Sequence, residues 1–413
     1  MCQYKAFLSI GGCASLVAVG SLLFLSASPA FSDDDDNPGP PKKIQSFELK
    51  RMGDKDAQNA LQGSNAQSTG GGSRTNATSG TTSLPVWTYS VTATQNNRKY
   101  SGIIVGANPA SPRAVNVPVV LVPVVIKIAQ AGTTYTFDPT APDAGCLGTN
   151  TALSLTQASP LFNSSLFTFN GQTIGSTQYP DAFLKGEFWN GGASNVTTPL
   201  LSLTPSAGAE LTITLSAGRN AAVYSISGAQ CNALIAVVNI NSVDSVLQSY
   251  IRNHGLTATQ FPFFLTYNAV MSQGSATNLS NCCILGYHSS NFFGQTYGIA
   301  EFEGRNQTVF SGVSDVAAAS HEINEWANDP LGNNPTPAWG AIGQVSGCQS
   351  DFEVGDPLSS NLLPAVQMPN GFSYHLQELA YFSWFYGGNV SLGYSNNGTF
   401  KGAAKICPPG GTN

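Results

Sequence analysis

An α+β fold is what this sequence predicts, with a β-rich region over residues 86–240 followed by a mixed α+β region over 241–413. Three observations carry that expectation. Up to about residue 240, short runs of β-branched and aromatic residues recur between Gly, Pro and Asn, the pattern of strands and turns. Beyond it, two segments carry apolar residues at helical spacing. The chain has 413 residues, enough for sizeable cores around both kinds of element.

The first 85 residues are expected to stand apart from that fold. Lys5 precedes an apolar run from about Phe7 to Leu25, and small residues follow at Ser28-Pro29-Ala30 and Ala30-Phe31-Ser32, the layout of a secretory signal peptide over residues 1–32. The competing reading is an uncleaved anchor, because the run nearly reaches spanning length. Residues 33–85 hold an acidic run, a Pro-Lys patch and "GSNAQSTGGGSRTNATSGTTS", too poor in apolar surface to fold, and read as a linker or cleavable pro-segment. The mature chain is therefore expected to be secreted or held at the cell envelope, with no membrane span. The net charge of −6, with 17 basic residues scattered singly, argues against a phosphate-tracking surface and so against nucleic acid. Oligomeric state is not legible.

Loss of the signal peptide would leave Cys146, Cys231, Cys282, Cys283, Cys348 and Cys407 in an oxidising compartment. Six cysteines allow ~15 pairings. No Cys-x-x-Cys pair occurs, which disfavours a thiolate zinc site. Adjacent Cys282 and Cys283 are each expected to bond a distant partner, because a bridge between neighbours is strained.

The strand-like runs, in order, are "VWTYSVTA", "KYSGIIVGA", "VPVVLVPVVIKI", "TYTFDPT", "LTITLSA" and "AVYSIS". The Val117–Ile128 run reads as a strand buried on both faces, despite Pro118 and Pro123. The first helix is "NSVDSVLQSYIRNHG", with apolar residues at 243, 246, 247, 250 and 251 and Gly255 as its stop. Then come strand-like "FPFFLTYNAVM", a turn "NCCILGYHSS" and a further strand-like "TYGIAEFEG".

The second helix contains "SHEINEWANDP", residues 320–330. Ser314 is its expected cap, Asp315 suits its N-terminal dipole and Pro330 ends it. At about 100° per residue, Val316, Ala319, Ile323, Trp326 and Ala327 form a core stripe, while His321, Glu325 and Asp329 point to the opposite side with Glu322 flanking them. Positions i and i+4 place two ligands on one helix face, so His321 and Glu325 are the expected metal ligands and Glu322 the expected proton acceptor. The bland alternative is a solvated helix face of exposed acids.

Two helix ligands need a third from elsewhere. In "GCQSDFEVGDPL", Glu353 is the first choice and Asp356 the second, against a loop in which these acids only cap turns. His288, Asp329, Tyr374 and His375 complete the set as auxiliary residues. Six of the nine glutamates and three of the four histidines fall between residues 285 and 380, so chemistry is expected there.

The helix motif resembles the His-Glu-x-x-His signature of the zincin metallopeptidases, with Glu325 in place of the second histidine. The resemblance implies a zincin-like region over 241–413, in which a strand before the active helix aligns a polypeptide substrate, a role that falls to "TYGIAEFEG". A wider resemblance, carried by "HEINEWANDPLGNNPTPAWG", "QVSGCQSDFEVGDP" and "SYHLQELAYFSWFYG", is to a family of exported bacterial proteins without an assigned activity. A fainter one, to plant exordium-type phosphate-induced proteins, rests on the Cys-x-x-Gly-Tyr-His turn and the Asp-Pro after the helix.

Two function classes follow. One is a secreted metal-dependent hydrolase, peptidase-like, with Zn²⁺ as cofactor. The other is a non-catalytic secreted or envelope binding protein holding a structural cation such as Ca²⁺, or none.

Overall fold

A 15-residue strand, Asn116–Gln130, organises the molecule. The computed structural model describes residues 39–44, 83–169, 172–227, 234–291, 293–304, 309–340, 348–388, 395 and 407. The expected signal peptide, residues 1–32, lies outside the described residues, as does most of the expected linker. Of that linker, Lys42–Ile44 is a strand paired in parallel with Tyr224–Ile226, so part of a segment expected to be unstructured joins a sheet edge.

The fold is α+β, with strands predominating. Among the described residues the central sheet has seven strands. The first half of Asn116–Gln130 lies between Phe261–Tyr267 and Ser202–Ala207, and its second half pairs with Thr133–Phe137 and Leu211–Ser216. Phe261–Tyr267 pairs in parallel with Thr296–Phe302, which pairs in antiparallel fashion with the edge strand Gly286–Ser290. The stretches before and after residue 240 thus share one sheet. Val117 to Ile126 is buried except at Pro118, as its unbroken Val and Ile content requires.

Alternation along these strands sends side chains to two cores. Val119, Leu121, Phe263 and Leu265 meet Ile323, Trp326, Trp339 and Phe385 on one face. Val120, Val122 and Phe264 meet Val243, Leu247 and Ile251 of the Ile240–Asn253 helix on the other. That helix is capped by Asn239, whose side chain accepts from the Asn241 and Ser242 amides.

Three expected elements differ from what is observed. "FPFFLTYNAVM" is two strands in different sheets, because buried Asn268 adopts φ 50° between Phe261–Tyr267 and Ala269–Ser272 and turns the chain from one sheet to the other. The "NCCILGYHSS" turn is two short strands, Cys282–Ile284 and Gly286–Ser290. Cys282 and Cys283 are joined to each other rather than to distant partners, while Cys348 pairs with Cys407, 59 positions away. Among the described residues no helix is long and apolar enough to cross a membrane.

Candidate metal centre

The helix Ala317–Asn328 packs its predicted stripe into the core, with Trp326 stacked on Phe261 at a 3.8 Å centroid distance and its indole N–H donating to Thr296 Oγ1. Its other side is not solvated. Every residue from Ala317 to Asn328 is buried, which excludes the alternative of a solvated helix face of exposed acids. The cover comes from two places remote in sequence: the edge strand at Gly286, and the segment around Gly355 and Gln377. Nor does Ser314 cap the helix. Asp315, at φ 38°, accepts from the Val316 and His375 amides through Oδ1 and contacts His375 Nδ1 at 2.5 Å through Oδ2.

His321 and Glu325 meet as the i, i+4 spacing requires, with Nε2 2.9 Å from Oε2. Asp356, on the turn that follows "FEVG", brings Oδ1 to 3.6 Å from the same nitrogen. These three residues offer ligand atoms that all lie within 4.8 Å of one another. Tetrahedral zinc with bonds near 2 Å needs ligand atoms ~3.3 Å apart, so small rotations would seat an ion. Glu353, the first-choice third ligand, is not in this group; its Oε2 lies 4.0 Å from His288 Nε2.

The surroundings decide which atom of each side chain faces the centre. Gln377 Nε2 donates to the Gly355 carbonyl at 2.8 Å, so its Oε1 must be the atom 3.0 Å from His321 Nδ1. His321 therefore donates from Nδ1 and turns Nε2 toward Glu325 and Asp356. Glu325 Oε1 accepts from the Gly355 and Asp356 amides at 2.8 and 3.1 Å, which leaves buried Oε2 facing inward to His321. Gln349 Nε2 likewise holds Asp356 Oδ2 at 2.8 Å, turning Oδ1 to the centre. A lone pair and two carboxylates pointed at one place repel unless a proton or cation sits among them.

Glu322 packs against the edge strand at Gly286, with Oε2 3.9 Å from His288 Nδ1. It forms a second convergent group with His288 and Glu325. The remaining auxiliary residues serve elsewhere. Asp329 accepts from the Asn333 and Asn334 amides, and burial pushes its carboxyl up to about 7 although those amides and His288 oppose the shift. Tyr374 donates to the Leu155 carbonyl, and His375 is committed to Asp315.

The sequence reading did not single out Gln377, Gln349, Gly355 or Gly286. A Cβ on Gly355 would come within 2.5 Å of His321 Nδ1, and one on Gly286 within 2.6 Å of Glu322 Oε1. The glycine in "EVGDP" was a visible signal that something approaches the backbone closely, though not of what. Gln377 carried no signal, since its role depends on a contact 56 positions away in the chain, and Gln349 acts through Asp356 in the same segment.

One imidazole nitrogen and two carboxylate oxygens suit zinc or another borderline cation, whereas calcium favours an all-oxygen shell. Compared with protein-family models, curated proteins and solved structures, the chain matches none of them.

Proposed function

We propose that this chain is an exported metal-dependent hydrolase, peptidase-like in mechanism, in which His321, Glu325 and Asp356 hold a zinc-class cation. The observation carrying the proposal is the pair of restraints on His321. One nitrogen is fixed by Gln377, and the other is aimed at two carboxylates whose outer oxygens are themselves held. When bound, the cation supplies Lewis-acid polarisation and a lowered pKa for an attacking water. Glu322 has an oxygen within 4.8 Å of Glu325 and takes up the proton released. Gly355 and Asp356 keep Glu325 from rotating away through their amides. The edge strand beside Glu322 is Gly286–Ser290, and any strand-like alignment of substrate falls to it rather than to Thr296–Phe302, which lies inside the sheet.

A second reading, a structural cation in a non-catalytic secreted protein, is favoured by burial. Glu325 and Asp356 are fully enclosed, and the His321 side chain is only 6% exposed. Two variants separate the readings. His321→Ala should reduce zinc bound at this centre to background, and unchanged zinc content would remove the centre altogether. Glu322→Gln should retain the cation held by His321 but lower chelator-sensitive cleavage of a denatured-protein library by ~10². Cleavage by wild type that chelation abolishes and Glu322→Gln leaves intact would remove Glu322 as proton acceptor. Zinc-loaded wild type that cleaves nothing would favour the structural reading.

A further inference from the structure

We propose a second cation site next to the first, formed by His288, Glu322 and Glu325, so that Glu325 is shared and the centre is binuclear. The proposal rests on the first site and extends it. His288 Nε2 lies 3.0 Å from the Asp329 backbone carbonyl, a group that only accepts, so the imidazole proton is on Nε2. Nδ1 then carries the lone pair, and it faces Glu322 Oε2 at 3.9 Å. Both histidines of the cluster thus donate outward, from opposite ring nitrogens, to backbone or amide oxygens, and each turns its other nitrogen to a carboxylate. Such restraint of the outer nitrogen is how proteins orient metal-ligating histidines.

An independent observation points to the same place. Glu325 Oε2 is fully buried, faces His321 Nε2 at 2.9 Å and belongs to a residue common to both convergent groups. A carboxylate with one oxygen anchored on two amides and the other turned inward is placed to bridge two ions, which in two-metal hydrolases lie ~3.5–4 Å apart. The helix supplies the geometry. Glu322 and Glu325 are three positions apart and His321 and Glu325 four, so the shared residue has one neighbour on each flank. The edge strand delivers His288 from the Glu322 side, and the turn at Gly355 delivers Asp356 from the His321 side. With three carboxylates and neutral imidazoles, one divalent cation leaves one negative charge in a buried place, whereas two leave one positive charge that a hydroxide would neutralise. A second ion would take Glu322 as a ligand, so Glu322 would then serve by holding that ion rather than by taking up a proton.

The full chain, refolded with excess Mn²⁺ and then dialysed, tests this by metal content and by electron paramagnetic resonance. About two ions per chain with the spectrum of a spin-coupled pair is the expected result. His288→Gln keeps a donor for the Asp329 carbonyl and should retain about one ion with an uncoupled spectrum. Gly286→Ala, whose Cβ would meet Glu322 and the Ile299 carbonyl, should do the same, and Glu322→Gln, which adds no bulk, serves if either fails to fold. One uncoupled ion in wild type, unchanged by His288→Gln or Gly286→Ala but lost in His321→Ala, would overturn the second site and leave the first standing. No ion in wild type would overturn both. About two ions that persist in Glu322→Gln with coupling intact would also overturn this assignment of ligands.

Discussion

Replacing Gly355 with alanine perturbs His321 without altering any ligand. Gly355 lies at φ −85°, ψ −35°, a conformation alanine adopts freely, so the substitution acts through space alone. The added Cβ would sit 2.5 Å from His321 Nδ1 and 2.7 Å from Cγ and Cε1, whereas ordinary contact begins near 3.4 Å. The ring must therefore retreat by about 0.9 Å, away from the turn that carries Asp356. Full packing around it makes that costly, about 1–3 kcal/mol for an overpacked core. The same displacement loosens the bond to Gln377 and moves Nε2 relative to Glu325 and Asp356. Loss of an outer restraint on a metal-ligating histidine weakens affinity ~10–100-fold, equivalent to about 1.4–2.7 kcal/mol of cation-linked stability. The assay is a zinc titration with thermal melts in excess zinc and in chelator. Gly355→Ala should bind more weakly, and its melting temperature should gain less from zinc than wild type does. Gly191→Ala is the control, since its Cβ would meet only Phe188 Cβ at 3.9 Å. Wild-type zinc affinity in Gly355→Ala would refute the role given to the glycine and the position given to the ring.

Three further outcomes are expected. Trp326→Ala removes a fully buried ring stacked on Phe261 and strands the Thr296 hydroxyl, so chemical denaturation should register a loss of about 3–5 kcal/mol; a loss under ~1 kcal/mol would contradict the packing of this helix. Burial holds the Glu187 carboxyl well above its ordinary range although it accepts from the Phe382 amide, so the folded state keeps this proton to higher pH than the unfolded chain. Its contribution to stability declines as pH rises from ~4.5 toward the folded value, and Glu187→Gln should exceed wild type in melting temperature at pH ~8 but not at pH ~4; the reverse order would refute the assignment. His375 is raised above its ordinary value by the hydrogen bond to Asp315, against the opposing effect of burial. That stabilisation is complete below pH ~6.5 and is lost as pH rises through the folded value, so the destabilisation caused by His375→Ala should shrink with rising pH, and a deficit that grows would sink the pairing.

Local pattern was enough to locate much of this architecture. The Val117–Ile128 run is legible because a strand covered on both faces needs an unbroken apolar sequence, and the Ile240–Asn253 helix and the core stripe of the Ala317–Asn328 helix because packing imposes a period of 3.6. Spacing alone likewise brought His321 beside Glu325, since i and i+4 are neighbours on every helix. Asn268 shows where such reasoning stops. Its positive φ redirects the chain between sheets, while nothing in "LTYNAV" distinguishes that bend from a continuing strand.

The centre itself was decided by contacts between segments far apart in the chain. His288 reaches Glu322 across 34 positions and Gln377 reaches His321 across 56, and no periodicity encodes either approach. Composition correctly marked residues 285–380 as rich in ligating side chains, but it could not say that Asp356 rather than Glu353 faces His321. A turn of two or three residues reverses that choice. Burial was hidden for the same reason: a polar stripe on a helix reads as solvated until another segment folds over it. Here the Gly355 turn and the Gly286 strand do so, because the absence of a Cβ at each lets backbone come against His321 and Glu322.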